Sequence, residues 1–269
     1  MKVLLCAIAK EENHYLREWV EWYKNIGVDH ICLYDNNNPN GERFEEVIND
    51  YIREGFVEVY NYRGRSQCQK DAYNECYARE CKNYDWLMFL DIDELLFINK
   101  SPFGGNVKRF LSQPIFDNCN GVKVNWKCMT DGGKLRVEDG DYSMFSRFKQ
   151  ASAKTNFHNR FAKTIVRGGL NGIYWTKSVH HPADISVCDV LGNPTTCKNK
   201  SAEPLWKNAI ILHYRFKTIE EYVTNKMRRL YADHSDEYSK AKLSLDYFFE
   251  INDRTSAKEE YAKELLAIE

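Results

Sequence analysis

The 269-residue sequence lacks a strong excess of either charge, a long apolar run and a glycine-rich phosphate loop. Its 38 basic and 39 acidic residues give a formal net charge of -1, and nucleic-acid-binding proteins usually carry a basic excess, so no nucleic-acid partner is expected. No apolar run approaches the roughly 18 residues of a transmembrane helix. The absence of a GxxxxGK[ST] pattern argues against a P-loop nucleotide-binding protein.

The nine cysteines include no CxxC pair, which argues against a structural zinc site. Their odd number, and an apolar N-terminus without a signal-peptide cleavage site, favour reduced thiols buried as small hydrophobic side chains. The sequence therefore predicts a cytoplasmic protein, with the inner face of the membrane as a further location.

The first hundred residues alternate between strand and helix patterns. Short apolar runs predict strands, and amphipathic segments, two of which end at a glycine, predict helices between them. The predicted strands are 2–9, 29–35, 56–62 and 85–91, and the predicted helices are 13–27, 42–55 and 66–84. This order predicts an α/β fold with a central, mostly parallel sheet flanked by helices.

The segment "FLDIDELL" places Asp91, Asp93 and Glu94 directly after the fourth predicted strand. Ligands collect at the carboxyl ends of strands in open parallel sheets. Carboxylates beside a buried strand are costly without a positive partner, so Asp91 and Asp93 are predicted to bind Mn²⁺ or Mg²⁺. The alternative is a helix N-terminus, where acidic residues are favoured by the helix dipole.

Several motifs in order resemble a bacterial branch of glycosyltransferase family 2 that shares features with family 92. The resemblance extends from Lys2 to about Arg229, with Glu11 and Lys24 departing from the usual Asn and His. It is carried by "AIAKEENHYLREWVEWYKNIGVDHICLYDNN", "FLDIDELL", "VNWKCMTDGG", "NRFAKTIVRGG", "VHHPADISVCDVLG" and "ILHYRFKTIEEYVTNK". It implies a GT-A fold in which "DID" is the Asp-X-Asp motif of a nucleotide-sugar transferase.

On this resemblance, several residues at the predicted strand ends are expected to bind the nucleotide-sugar. Ala7 and Ile8 would hold the base, and Asp35 or Glu12 would bind the ribose or uracil. Asp35 could instead form an Asx turn. The predicted donor site is completed by Arg65, Asp71, Asp91 and Lys217, of which Arg65 could equally lie in a solvated loop.

His213 ends the apolar run 209–213, and Lys217 follows four residues later. The imidazole of His213 is predicted to be a third metal ligand and Lys217 to neutralise the diphosphate. A structural, hydrogen-bonded histidine is the alternative. Thr218 and Glu221 form a capping-box pattern that opens a helix.

Residues 101–217 are expected to form the acceptor side. Asp131, before a glycine pair, is the candidate group that takes the proton from the acceptor hydroxyl, although the same pattern is typical of a turn. The predicted acceptor pocket contains Trp126, Lys163, Arg167 and His181. Because adjacent strand residues point apart, only one of His180 and His181 should face the pocket.

The sequence thus predicts a GT-A-like catalytic domain over residues 1–217, divided at residue 100 into donor and acceptor halves, and a helical extension over 218–269. The basic and aromatic tail could dock weakly on anionic lipid, or pack on the catalytic domain. The predicted activity is metal-dependent transfer of a hexose, galactose as first choice, from a UDP-sugar to a glycan or lipid-linked oligosaccharide, with inversion implied by the resemblance. The alternatives are a nucleotidyltransferase and a non-catalytic glycan-binding protein.

Overall fold

The computed structural model describes residues 1–138, 140–229 and 235–267. The strands are β1 Val3–Ala9, β2 His30–Asp35, β3 Val57–Asn61, β4 Trp86–Phe89, β5 Glu94–Ile98, β6 Gly121–Cys128, β7 Ala162–Arg167, β8 Val187–Asp189, β9 Pro194–Thr195 and β10 Ala209–His213. The helices are α1 Asn13–Asn25, α2 Glu45–Arg53, α3 Gln69–Glu80, α4 Lys100–Phe103, α5 Val107–Leu111, α6 Met144–Arg147, α7 Ile219–Glu221, α8 Met227–Arg229, α9 Asp236–Lys242, α10 Leu245–Phe249 and α11 Ser256–Leu266. A π-helical segment, Tyr222–Lys226, joins α7 to α8.

The sheet has the strand order β3-β2-β1-β4-β7-β6-β10-β5, with β8 and β9 attached to β6. The four strands from β3 to β4 are mutually parallel, whereas β7 is antiparallel to both of its neighbours. β10 runs parallel to β6, and β5 runs antiparallel to β10. The predicted α/β fold class is confirmed, and the purely parallel order is confined to the first half of the chain.

The first half forms because its apolar patterns match its positions in the sheet. All seven residues of β1 are buried, as expected of a strand covered on both faces by helices. Helix α1 buries one apolar stripe, and Trp19 in that stripe donates from Nε1 to the carbonyl oxygen of Asp91 at 3.0 Å. Tyr23, one turn further on, donates to the carbonyl oxygen of Glu94 at 2.9 Å. Helix α1 therefore fixes the backbone of the acidic segment after β4.

The C-terminal segment packs on the same core as the sheet. Phe248 of α10 is fully buried, with its ring 5.8 Å from that of Phe216 and 5.2 Å from that of Tyr222. Lys258 of α11 is buried and pairs with Asp131 at 2.7 Å. Residues on both sides of position 217 thus share one core, while the division into domains stays a prediction.

The structure corrects one expectation about the cysteines. Cys119 and Cys188 form a disulfide, so the expectation that all thiols are reduced is wrong for this pair, whose Cα atoms lie 5.9 Å apart. Cys119 precedes β6 and Cys188 lies in β8, and the parallel pairing of these two strands brings the sulfurs together.

In the described ranges no helix is long and apolar enough to cross a bilayer. The centre of the predicted lipid-docking tail, residues 230–234, lies outside the described residues.

Candidate functional site

A cavity of about 790 Å³ opens at the carboxyl ends of β1, β4 and β10. Because these strands run in the same direction, their ends meet at one edge of the sheet. Seven of the residues predicted from the sequence lie in its wall: Ile8, Glu12, Arg65, Asp91, Asp93, Trp126 and His213.

Asp93 is, with Glu12, one of two buried carboxylates of the cavity wall. Its residue is 8% exposed, and its Oδ1 lies 3.5 Å from Nε2 of His213. Nζ of Lys226 donates to Oδ2 of Asp93 at 3.2 Å. Burial alone would raise the pKa of Asp93, but Lys226 and His213 outweigh it and hold the pKa well below its usual range. Asp93 is therefore a fixed negative charge at the edge of the sheet.

Asp91 lies two residues earlier and has different partners. Its Oδ2 accepts from Nζ of Lys163 at 2.9 Å, and its Oδ1 accepts from Nε2 of Gln69 at 2.9 Å. Tyr73 adds a weaker hydroxyl contact at 3.3 Å. The Asp91 side chain is 34% exposed, so it is held in place but remains accessible to a ligand.

Glu94 is a supporting carboxylate to which the sequence assigned no role of its own. It is fully buried, and its Oε2 accepts from the backbone N–H of Asp91 at 2.9 Å. Its Oε1 has no hydrogen-bond partner, and burial raises the pKa of Glu94 to about 8. The sequence feature that could have pointed to Glu94 is the third carboxylate in "DIDE". Its position shows that Glu94 fixes the Asp91 backbone, with Lys163 3.6 Å away.

The described residues offer two close donors to a metal ion. Asp93 and His213 face each other at 3.5 Å, and Nδ1 of His213 is buried without a hydrogen-bond partner. Burial lowers the pKa of His213, so its imidazole is neutral and can bind a cation. In the part of the chain that is described, no group of three or more His, Cys, Asp or Glu residues is arranged to hold a metal. A carboxylate and an imidazole fit Mn²⁺ better than Mg²⁺, since Mg²⁺ prefers oxygen ligands.

Beside this site, Glu12 links the loop after β1 to residues of the C-terminal third of the sequence. Its Oε1 pairs with Nη1 of Arg229 at 2.5 Å, and its Oε2 lies 3.4 Å from Nζ of Lys217. Burial would raise its pKa, but Arg229 and Lys217 lower it, so Glu12 is ionised. Lys217 also lies 3.7 Å from the ring of Tyr15. Lys217 itself does not line the cavity.

Several predicted donor residues lie outside the cavity wall. Asp35 pairs with Arg63 at 2.5 Å and accepts from the backbone N–H of Asn37 at 2.9 Å, which is the Asx geometry given above as its alternative. Asp71 lies exposed in the first turn of α3. Ala7 is enclosed within β1, one residue before Ile8.

On the acceptor side, strand direction decides which predicted residues approach the cavity. β7 runs antiparallel to β4, so Lys163 lies near the cavity edge and reaches Asp91, whereas Arg167 lies at the opposite edge and donates to the carbonyl oxygens of Cys119 and Phe116. Asp131 is held by Lys258, away from the cavity.

His180, not its predicted neighbour His181, lines the cavity. Nδ1 of His180 contacts the carbonyl oxygen of Ala162 at 2.9 Å, so Nδ1 carries the proton and Nε2 is the acceptor nitrogen. Burial, followed by the charge of Lys163, holds the pKa of His180 well below its usual range. Nδ1 of His181 instead contacts the carbonyl oxygen of Pro182 at 2.8 Å.

Trp126, which was predicted for the acceptor pocket, belongs to an aromatic wall whose other members, Phe161 and His158, were not predicted from the sequence. The ring of Trp126 stacks on Phe161 at 5.2 Å and lies 5.1 Å from His180 and 4.1 Å from His213. Its Nε1 is buried without a hydrogen-bond partner. His158 continues this wall, stacked 6.2 Å from Phe161. No local pattern marks these residues as neighbours, since they come from separate loops and strands.

The cavity is strongly basic although the whole chain is nearly neutral. Of the residues that the structure describes, eight basic ones line it: Lys10, Arg65, Lys70, Lys177, Arg215, Lys226, Arg229 and Lys242. Three acidic residues of the same described part line it: Glu12, Asp91 and Asp93. Such a wall attracts anionic ligands and can bind the phosphate groups of a nucleotide.

Comparison with known proteins identifies related sequences. The sequence model of glycosyltransferase family 92 matches residues 3–248. A glycosyltransferase family 92 protein of Oryza sativa subsp. japonica is 29% identical over 184 residues, covering 66% of this chain and 29% of that protein. One of Arabidopsis thaliana is 24% identical over 235 residues, covering 85% of this chain and 38% of that protein. The chain thus spans less than two-fifths of the length of these relatives.

Among solved structures, S. aureus TarS in complex with UDP-GlcNAc aligns with 100% of this chain and 80% of its own, at 14% identity and a TM-score of 0.45. The mannosyltransferase PcManGT of Pyrobaculum calidifontis, in complex with GDP-Man and Mn²⁺, aligns with 47% of this chain and 36% of its own, at 10% identity and a TM-score of 0.36. The predicted relationship to family 92 is confirmed by the family match, while the placement in family 2 and the bacterial source stay predictions.

Proposed function

Because the chain belongs to glycosyltransferase family 92, we propose that it transfers a hexose from a UDP-sugar to a hydroxyl group of a glycan acceptor, with a divalent metal ion. Galactose remains the first choice for the hexose. The proposed setting is the synthesis of surface polysaccharides or glycoconjugates on the cytoplasmic side of a membrane. Inversion at the anomeric carbon belongs to the same proposal.

The observation that supports this function best is the combination of fixed carboxylates and basic residues in one cavity. Asp91 and Asp93 follow β4, and Arg65 and Lys70 lie around the start of α3, on the same wall. Nucleotide ligands of open α/β sheets bind at this edge. We place the diphosphate of the donor between these carboxylates and the basic side chains, with the base near Ile8.

Asp93 and His213 are the residues that would hold the metal. When bound, Mn²⁺ would stabilise the negative charge that develops on the leaving diphosphate. Lys226, 3.2 Å from Asp93, would keep that carboxylate ionised and in place. Asp91 is oriented by Lys163 and Gln69, and its exposed face remains available to the donor or to the metal's water ligands.

His180 is our candidate for the general base. An inverting transfer needs a group that takes the proton of the acceptor hydroxyl. Asp131, the candidate chosen from the sequence, is buried in its ion pair with Lys258, whereas His180 lines the cavity with Nε2 as its acceptor nitrogen. Trp126 and Phe161, whose rings both contact that of His180, give the acceptor sugar an apolar surface to pack on.

The test is the thermal unfolding midpoint with UDP-, GDP-, CMP- and dTDP-sugars, each in Mn²⁺ or in EDTA. A ligand that binds the folded state raises the midpoint through mass action. We expect a UDP-sugar to raise it in Mn²⁺ and to raise it less in EDTA, and we expect Asp93→Asn to remove that difference. No shift with any nucleotide-sugar at millimolar concentration would overturn the proposal.

A further inference from the structure

Among the described residues, the cavity contains more positive charge than its carboxylates neutralise. Lys226 is paired with Asp93, and Arg229 is paired with Glu12. Arg215 is engaged with His158. The remaining five basic side chains have no carboxylate partner within 4 Å among the described residues: Lys10, Arg65, Lys70, Lys177 and Lys242. The excess therefore exists before any metal ion is added.

A nucleotide-sugar donor accounts for only part of this excess. Its diphosphate carries about two negative charges, one for each phosphate. Lys10 after β1, with Arg65 and Lys70 around the start of α3, already supplies three cations on the donor half. A divalent ion at Asp93 would add two further positive charges there. The cations elsewhere in the cavity are thus not needed to bind the donor.

Arg215 and Lys242 lie on the other half of the cavity. Arg215 follows β10, and its guanidinium lies 4.8 Å from the ring of Tyr247. Lys242 ends α9, and its ammonium lies 6.0 Å from the ring of Tyr238. Both cations and both rings line the cavity, on the half that also contains His158. Basic side chains beside aromatic rings suit a ligand that carries both a sugar ring and an anionic group.

Glu250, the carboxylate that contacts His158, is already hydrogen-bonded. Oε2 of Glu250 accepts from Nε2 of His158 at 2.7 Å, and Nη1 of Arg215 contacts the opposite nitrogen, Nδ1, at 3.2 Å. Burial lowers the pKa of His158, and the charges of Arg215 and Lys200 lower it further. The hydrogen bond to Glu250 raises the pKa but does not outweigh them. The imidazole is therefore neutral and adds no charge of its own, while its surroundings favour a negative ligand.

We propose that the acceptor carries an acidic group, a phosphate or a carboxylate, and that Arg215 and Lys242 bind it. This inference rests on the proposed glycosyl transfer and names the chemical class of its acceptor. The planar guanidinium of Arg215 can form two parallel hydrogen bonds to either group, and Lys242 adds a mobile charge. The sugar ring that bears the acid would pack against Trp126 and Phe161.

The experiment measures binding of three probes to the full chain saturated with UDP and Mn²⁺, so that the donor half is filled. The probes are glucose 6-phosphate, glucuronate and glucose, and ligand-observed NMR gives their dissociation constants. We expect at least one acidic probe to bind about tenfold or more tightly than glucose, and the comparison of the two acids distinguishes phosphate from carboxylate.

Two variants locate the binding and one serves as the control. Arg215→Gln and Lys242→Gln should each lower the affinity for the acidic probe about fivefold or more, while the affinity for glucose should change less than twofold. Lys240→Gln removes an exposed charge from the same helix, outside the cavity, and should change neither. An unchanged thermal unfolding midpoint shows that each variant is folded.

Three results would overturn the inference. Equal affinity for the acidic and neutral probes would show that the acceptor half does not select for charge. Competition between the acidic probe and UDP would place the acid at the diphosphate site instead. Failure of UDP itself to bind would remove the proposed function along with this inference, and that outcome is separate from the other two because UDP binding is measured first.

Discussion

The two walls of the cavity are built in different ways. The donor wall consists of successive strand ends: Ile8 lies near the end of β1, Glu12 follows β1, and Asp93 follows β4, the parallel neighbour of β1. The opposite wall is assembled from distant segments, as in the contact between His158 and Glu250, 92 residues apart. A parallel sheet with short crossovers brings its strand ends together through local rules, whereas the second wall depends on long-range packing. The donor wall should therefore tolerate changes in helices α9 to α11 that disrupt the second wall.

The largest expected effect follows from removing the buried cation of α11. Lys258→Ala leaves Asp131 buried without its 2.7 Å partner, and we expect a loss of about 3–5 kcal/mol in the free energy of unfolding. Urea unfolding measures it. Lys263→Ala, at an exposed position of the same helix, is the control and should change the stability by less than about 0.5 kcal/mol. Equal effects of the two variants would show that the ion pair does not hold the segment in place.

Asp93→Asn tests the donor wall with the fold preserved. The amide keeps the size of the side chain but removes the charge next to His213 and Lys226, so we expect a roughly 1,000-fold loss of transfer, about 4 kcal/mol in the barrier. Initial rates with the UDP-sugar identified by thermal shift provide the measurement. Asp71→Asn, an exposed carboxylate of α3 outside the cavity, should retain the wild-type rate. A comparable loss in Asp71→Asn would contradict the assignment.

His180→Gln makes the corresponding test of the second wall. Glutamine can still hydrogen-bond the carbonyl oxygen of Ala162 but cannot take up a proton, so we expect a roughly 100-fold lower kcat. The KM for the donor should change less than threefold, because the donor wall is untouched. His181→Gln is the matched control one residue away, since His181 does not line the cavity. A wild-type kcat in His180→Gln would exclude it as the base.

The smallest effect is a difference in pH dependence between the two halves. Burial lowers the pKa of His158, so below about pH 6.5 the unfolded chain binds a proton that the folded chain does not, and stability falls as the pH falls. For one proton the slope is at most about 1.4 kcal/mol per pH unit. His158→Gln should flatten the loss of unfolding free energy between pH 7.5 and pH 5.5.

His30 on β2 should show the opposite sign. Its hydrogen bond with Cys32 raises its pKa, so it contributes stability that is fully present below about pH 6.5 and is lost as the pH rises through the folded pKa. His30→Gln should therefore steepen the loss of stability toward low pH. Urea unfolding at several pH values measures both effects. If the unfolding free energies of the two variants change with pH in the same way, the difference between the halves is contradicted.

The sequence was sufficient for the strands and the acidic segment of the donor wall because their signals are local. Apolar runs marked β1 to β4, and the carboxylates that follow β4 are contiguous in "DIDE". Strand direction in the second half has no such signal. Lys163 and Arg167 looked equivalent until the antiparallel course of β7 placed them at opposite edges of the sheet.

Long-range partners were equally hidden. The placement of His180 rather than His181 in the cavity depends on how the loop after β7 turns back to Ala162. Asp131 resembled a catalytic loop residue because nothing near it in sequence reveals Lys258, which lies 127 positions later. The disulfide between Cys119 and Cys188 likewise required knowledge of the pairing between β6 and β8.

The ion pair between Glu12 and Arg229 also has a consequence for the synthesis of the protein. These residues are 217 positions apart, so at about 5–20 residues per second the ribosome adds Arg229 roughly 10–40 s after Glu12. During that interval the nascent chain can form its parallel strands, yet the cavity has only one of its walls. A chain that stopped short of Arg229 would therefore lack the partner of Glu12 and the second wall of the cavity.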